Sequence, residues 1–194
     1  RLKEVVACLE ADPALAATYT AEALAGKAEC RKALARRTSL ALGPRTLLLG
    51  TALPTEAGGG RSLLAAMTGL VRSDVAIVVP GLGDRGLLDE IRRLAIEAPG
   101  KIAVHPESGP GAERQLLAGA DAVLLADAQD HHGRAAGLAM RYATLPLAPD
   151  SAANRDYLVD FDTGTRTGTA LLFRPDDAFE GLSTMERLRD PAAR

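Results

Sequence analysis

The chain has 194 residues, of which 47% are hydrophobic and 25% charged, with a formal net charge of −2. That length suits one domain of ~100–200 residues with a full apolar core, and the near-neutral balance excludes the broad positive field of a nucleic-acid or anionic-membrane surface. Aromatics are only 3% and Trp is absent, so sugar- or base-stacking platforms are scarce.

Residues 1–44 read as an N-terminal helical, hinge-like segment. Within it "TAEALAGKAECRKALARR" predicts a basic amphipathic helix capped by Thr20, its Lys and Arg forming a solvated face. Cys8 and Cys30 have no metal-ligand spacing and are expected to be reduced and packed. From residue 45 short apolar runs alternate with helical patterns. "RTLLLG", "DVAIVVP", "KIAVH", "DAVLLA", "TLPLA" and "TALLF" each suit a strand buried on both faces. Between them "RSLLAAMTGLV", "RGLLDEIRRLAIEA", "GAERQLLAGA" and "GRAAGLAMRYA" have helical spacing. Residues 45–194 are therefore expected to form an α/β domain: a Rossmann-like, three-layer parallel sheet with right-handed crossovers. Ligands of such sheets bind beyond the carboxyl ends of the strands, which makes the residues after each strand the ones to question.

Few local motifs there carry chemistry. "TEAGGGRS" is Gly-rich but fits neither the P-loop nor the dinucleotide-binding pattern. "PGLGDRG", with Gly81, Gly83 and Asp84, follows a strand and opens a helix, where backbone amides face a phosphate or simply make a tight turn. Asp127, Asp130, His131 and His132 look like ligands, and "DHH" is similar to a manganese phosphoesterase motif. A two-metal site needs further Asp and His from other strand ends, and only His105 offers itself. No metal or cofactor is expected. No stretch approaches the ~20 apolar residues of a membrane span and no secretory signal opens the chain. The expected location is the cytoplasm, with a plastid as the other compartment, and an opening Arg suggests a processed chain or part of a longer one.

The order of the larger motifs is more telling. "DPALAATYTAEALAGKAECRKALARR", "LLLG", "VVPGLGD", "AGADAVLLA", "GLAMRYATLP", "YLVDFD" and "GTALLF" together resemble the C-terminal half of bacterial glycogen synthases and plant starch synthases. Those are retaining glucosyltransferases of the GT-B architecture, in which two Rossmann-like domains face each other across a cleft. The resemblance implies that this chain corresponds to the donor-binding domain, which holds ADP-glucose, and that an N-terminal domain would supply acceptor contacts and a catalytic histidine.

Position by position, the resemblance also implies losses. Where the family carries "GRLxxQKG", an Arg and a Lys for the donor diphosphate, this chain has "GTALPTEA", with Thr51 and Glu56 at those two places. Asp130 falls at the acidic position of the family's "EPCGLxQ", and Ala135 or Ala136 at its later polar position. The phosphate-cradling "TGG" becomes Ser151, Ala152 and Ala153, and the added Cβ atoms obstruct close backbone approach. A Tyr near the adenine becomes Ser108. Arg61 is the remaining cation near the first strand. The donor-binding candidates are thus Arg61, Gly81, Gly83, Asp84, Asp130 and Ser151, with Thr51, Glu56 and Asp130 as degenerate positions. The expectation is a catalytically impaired domain that serves as a binding or interaction module; the other reading is the donor-binding domain of an active ADP-glucose-dependent synthase. Expected partners are weakly held ADP-glucose or ADP, an α-glucan, an active synthase partner or an N-terminal domain, with no nucleic acid and no membrane.

Overall fold

A computed structural model describes residues 12–20, 23–52, 57–125 and 133–174. Its elements are α1 (Ala25–Thr38), β1 (Leu47–Ala52), α2 (Ala57–Leu70), β2 (Val75–Val79), α3 (Arg85–Glu97), β3 (Ile102–Val104), α4 (Pro110–Gly119), β4 (Ala122–Leu125), α5 (Arg134–Arg141), β5 (Leu145–Pro149), the short α6 (Ala152–Arg155) and β6 (Leu171–Phe173). The six strands form one parallel sheet in the order β3-β2-β1-β4-β5-β6. All six apolar runs became strands, because each is covered on both faces and needs no polar alternation.

The two faces have separate apolar layers. On one, Leu48, Val78 and Val123 pack under Cys30 and Leu34 of α1, Leu116 and Leu117 of α4, and Ala136 and Ala139 of α5. On the other, Leu47, Leu49, Ile77 and Leu124 pack under Leu63 and Met67 of α2 and Leu88 and Ile91 of α3. Helix α1 lies close against α4, and Gly119 permits it: a Cβ there would sit 2.7 Å from Leu34 Cδ2 and 3.1 Å from the Cys30 carbonyl oxygen. The "AGAD" motif thereby has a structural meaning. Small residues admit α1, and Asp121 then bridges strands, its Oδ2 accepting from Leu48 N–H at 2.7 Å and from Arg31 Nε at 3.3 Å.

Two expectations about the first helix are corrected. Thr20 does not cap it, since Thr20 and Ala23 exchange backbone hydrogen bonds in a turn of their own and the helix begins at Ala25 after Leu24. Nor are all its cations solvated. Lys27 shares a stripe with Cys30 and Leu34 and donates from Nζ to the Ala118 carbonyl (3.2 Å), the Tyr142 carbonyl (2.9 Å) and Thr144 Oγ1 (2.8 Å). These acceptors gather at the carboxyl ends of α4 and α5, where a cation is favoured by the exposed carbonyls and the helix dipole. Among the described residues no helix is long and apolar enough to cross a membrane.

Candidate functional site at the carboxyl edge of the sheet

The strand order reverses between β1 and β4, and sheets of this kind bind ligands beyond the carboxyl ends of the strands at such a reversal. Thr51 lies there, in β1 opposite Leu124 of β4. It is 1% exposed and its Oγ1 has no hydrogen-bond partner. Glu56 follows β1, and Asp127, Asp130, His131 and His132 follow β4; all five lie outside the described residues. Ala136 is fully buried in the core under α5, so that position supplies packing and no polar group. Arg61 is exposed in α2.

The loop after β2 is built for closeness. A Cβ at Gly81 would fall 2.5 Å from the His105 carbonyl oxygen and 2.7 Å from that of Glu107, so only glycine lets this turn lie on the loop after β3. Asp84 caps α3, its carboxylate accepting from Leu87 N–H at 2.8 Å. The structure thus brings Gly81 and Ser108 together, both lining a groove of about 300 Å³ that also touches Pro80, Leu82, Pro110 and Glu113. Glu113 supplies its formal charge, and Leu82 at the rim is 67% exposed. His105 is buried at the tip of β3. Its Nδ1 lies 3.2 Å from Glu107 N and 3.1 Å from Glu107 O, whereas Nε2 meets no partner. Among the described residues no group of three or more His, Cys, Asp or Glu is arranged to hold a metal.

Beyond β5, Ser151 caps the single turn α6, its Oγ accepting from Asn154 N–H at 3.2 Å. Ala152 and Ala153 are exposed on that turn, and neither has a positive φ. Beneath them Asn154 is buried and donates from Nδ2 to the Pro149 carbonyl at 2.7 Å. Asp150, at the end of β5, grips Arg155 through two oxygens at 2.5 and 2.6 Å. That pairing holds the Asp150 carboxyl below its ordinary range and leaves Arg155 partly neutralised for any incoming anion. The edge therefore combines a backbone helix start with a carboxylate already in place.

No protein-family model matches the chain. Among curated proteins it is 32% identical over 163 residues to the glycogen synthase of Lacticaseibacillus casei (strain BL23), a match covering 84% of this chain and 34% of that protein. The glycogen synthase of Anaeromyxobacter sp. (strain Fw109-5) is 32% identical over 170 residues, covering 85% and 36%. The catalytic domain of starch synthase IV from Arabidopsis thaliana, bound to ADP and acarbose, shares the fold with a TM-score of 0.79, 18% identity, and coverage of 94% of this chain and 39% of that one. The chain belongs to the glycogen and starch synthase family, at its C-terminal domain. It spans about a third of the length of the curated relatives it matches. A C-terminal domain of a group 1 glycosyl transferase from Francisella tularensis has the same fold, with a TM-score of 0.58, 16% identity, and coverage of 86% of this chain and 83% of that one. The glycosyltransferase family and its Rossmann-like domain are thus common ground between sequence and structure.

Sequence reasoning missed Lys27, Asn154 and the Asp150–Arg155 pair. For Lys27 a signal existed: residues 27, 30 and 34 share the helical stripe that carries Cys30 and Leu34 inward. For Asn154 none did, because a polar residue three positions after a cap reads equally well as exposed loop.

Proposed function

We propose that this domain keeps the family's scaffold but holds a nucleotide-sugar donor too weakly for efficient transfer, and serves as a binding or interaction module. One observation carries the reading. At the position that the family resemblance assigns to a donor-phosphate cation stands Thr51, sealed in the sheet with an unpartnered hydroxyl. A hydroxyl there offers no charge to a departing diphosphate, and catalysis of this type depends on charge stabilisation placed in advance. The surroundings support the same conclusion: Asp84 already occupies the start of α3, Asp150 engages Arg155, and Ala152 and Ala153 present Cβ atoms at the turn matching the phosphate cradle. Each lost charge-assisted contact costs roughly 1.5–3 kcal/mol, so a few remove most of the ~8 kcal/mol behind a micromolar affinity.

Titration calorimetry with ADP and ADP-glucose tests the reading. The chain is expected to give no saturable heat at micromolar concentrations. Tight ADP binding by the unaltered chain would sink it. The second reading, a donor-binding domain of an active synthase, is favoured by the 32% identity to proteins named glycogen synthase. In that reading Arg61, Gly81, Gly83, Asp84, Asp130 and Ser151 gather the donor. Transfer of labelled glucose from ADP-glucose to glycogen by the full-length protein would establish it. Acarbose in the Arabidopsis starch synthase makes an α-glucan the module ligand to try first, followed by an active synthase partner.

A further inference from the structure

We infer that residues 12–20 form a strap that opens and closes over α1 independently of the sheet, uncovering the seam between α1 and α4 when it lifts. Among the described residues, the strap's backbone–backbone hydrogen bonds are local. Leu15 N–H donates to the Asp12 carbonyl, and Thr20 and Ala23 exchange theirs. A cavity of about 220 Å³ is lined from the strap by Pro13 and Leu15 and from the helices by Cys30, Leu34 and Ala118. Protein interiors are ordinarily close-packed, so a segment bordering empty space gives up contacts that would hold it down. Few backbone bonds and thin packing are what distinguish a locally opening unit from the core.

Side chains fasten the strap, and they converge on Tyr142, the residue that closes α5. At one end the Asp12 carboxylate, 6% exposed, accepts from the Tyr142 hydroxyl at 3.2 Å and pairs with Arg114 Nε at 2.8 Å. At the other end the buried Tyr19 hydroxyl donates to the Tyr142 carbonyl at 2.9 Å. Between these anchors Cys30 Sγ donates to the Ala17 carbonyl at 3.3 Å. The close approach of strap and helix depends on Gly26. A Cβ there would fall 2.1 Å from the Thr18 carbonyl oxygen and 3.1 Å from Tyr19 Cβ. Glycine inside α1 weakens the helix relative to alanine, so this position serves the strap at the helix's expense. With both anchors on one residue, loss of either leaves the segment held at a single end.

Cys30 reports opening, because its buried thiol is bonded to the strap. Alkylation by iodoacetamide, read on the peptide that carries Cys30, is measured on the full chain from zero urea to just below the unfolding transition. The rate should be nearly flat over this range and faster than global unfolding supplies, since lifting so short a segment exposes little surface. Gly26→Ala should raise it roughly tenfold or more, the scale of an overpacked contact, although alanine is the better helix former. Asp12→Asn and Tyr19→Phe should each raise it about threefold or more, the low end of one net hydrogen bond. Ile91→Val, which weakens the core on the opposite face of the sheet, should leave it unchanged. Circular dichroism checks that each variant folds. A parent rate that follows global unfolding in its urea dependence, a rise with Ile91→Val in proportion to the stability lost, or no response to Gly26→Ala overturns the proposal. Should Gly26→Ala not fold, the urea dependence of the parent and the response to Ile91→Val decide the matter.

Discussion

The two edges of the sheet treat their polar groups differently. At the amino edge, buried and half-buried polar groups are matched. Thr46 donates from Oγ1 to Asp74 at 2.6 Å while accepting from Gly43 N–H, Asp121 joins β1 to β4, and Lys101 donates to the Ser73 carbonyl at 2.8 Å. Lys27 and Thr144 tie α1, α4 and the start of β5 together. At the carboxyl edge, Thr51 Oγ1 and His105 Nε2 are buried without partners. Buried polar atoms without partners are uncommon in folded proteins, so these two depart from the matched framework around them. The contrast separates a matched framework at the amino edge from a carboxyl edge where two buried polar atoms are unmatched.

The largest effect expected from this contrast lies at the amino edge. Lys27→Met should lower unfolding stability in urea by about 2 kcal/mol, because buried carbonyls of α4 and α5 lose their donor. A loss below a few tenths would mean that water replaces the ammonium and that the edge is less closed than its geometry indicates. A pH series sharpens the same point. Burial pushes the Lys27 amine down to about 8, against smaller opposing effects of Asp121 and Cys30. Between there and its ordinary value near 10.5 the unfolded chain binds the extra proton, so stability should rise with pH from about 8 towards 10, by roughly 1–2 kcal/mol. Above 10 the trend should reverse: burial raises the Tyr19 phenol well above its ordinary range and, with Asp12, lifts the Tyr142 phenol to about 12, so both stay protonated longest when folded. Lys27→Met should abolish the rising limb and leave the falling one.

At the carboxyl edge the expected effect is smaller and opposite in sign. Thr51→Val keeps the shape and removes a buried hydroxyl that bonds to nothing, so it should be neutral or stabilising by up to about 1 kcal/mol. A loss of more than 1 kcal/mol in denaturant titration would show that the hydroxyl has a partner in solution and would remove half of the contrast. An effect of similar size concerns Ala143, in "RYATLP", where the backbone is left-handed at φ 51°. Ala143→Gly should stabilise by roughly 0.5–1 kcal/mol by relieving the Cβ clash, offset in part by the greater freedom of glycine when unfolded.

How much of this was legible beforehand follows from the same physics. The six strands were readable because runs such as "LLLG" and "AIVV" are apolar without alternation, and spacing alone separated them from the helices. Alternation with crossovers implied a parallel sheet but not the order of its strands, and the turn α6 is too short to carry a pattern of its own. The start of α1 was misplaced because Thr20 looks like a cap in sequence while its backbone is spent on Ala23. Lys27 was misjudged because composition marks lysine as solvated, and only a three-element meeting of helix ends makes it an interior residue. At the carboxyl edge, Thr51 lies near the end of β1, while Ser151 and Asp84 each cap the helix that follows them. Glu56 and Asp130 lie outside the described residues, and their roles rest on the resemblance.

The position of β1 has a consequence for how the chain reaches this state. The strand is flanked by β2, linked to it by a contact 28 positions apart, and by β4, reached through a contact 73 positions away. Loop closure over the longer span carries the greater entropic cost. Until β4 docks, β1 therefore presents one bare hydrogen-bonding edge flanked by leucines. A fragment truncated ahead of residue 121 should self-associate through that edge, and a ribosome releasing the chain slowly would expose the same hazard in transit.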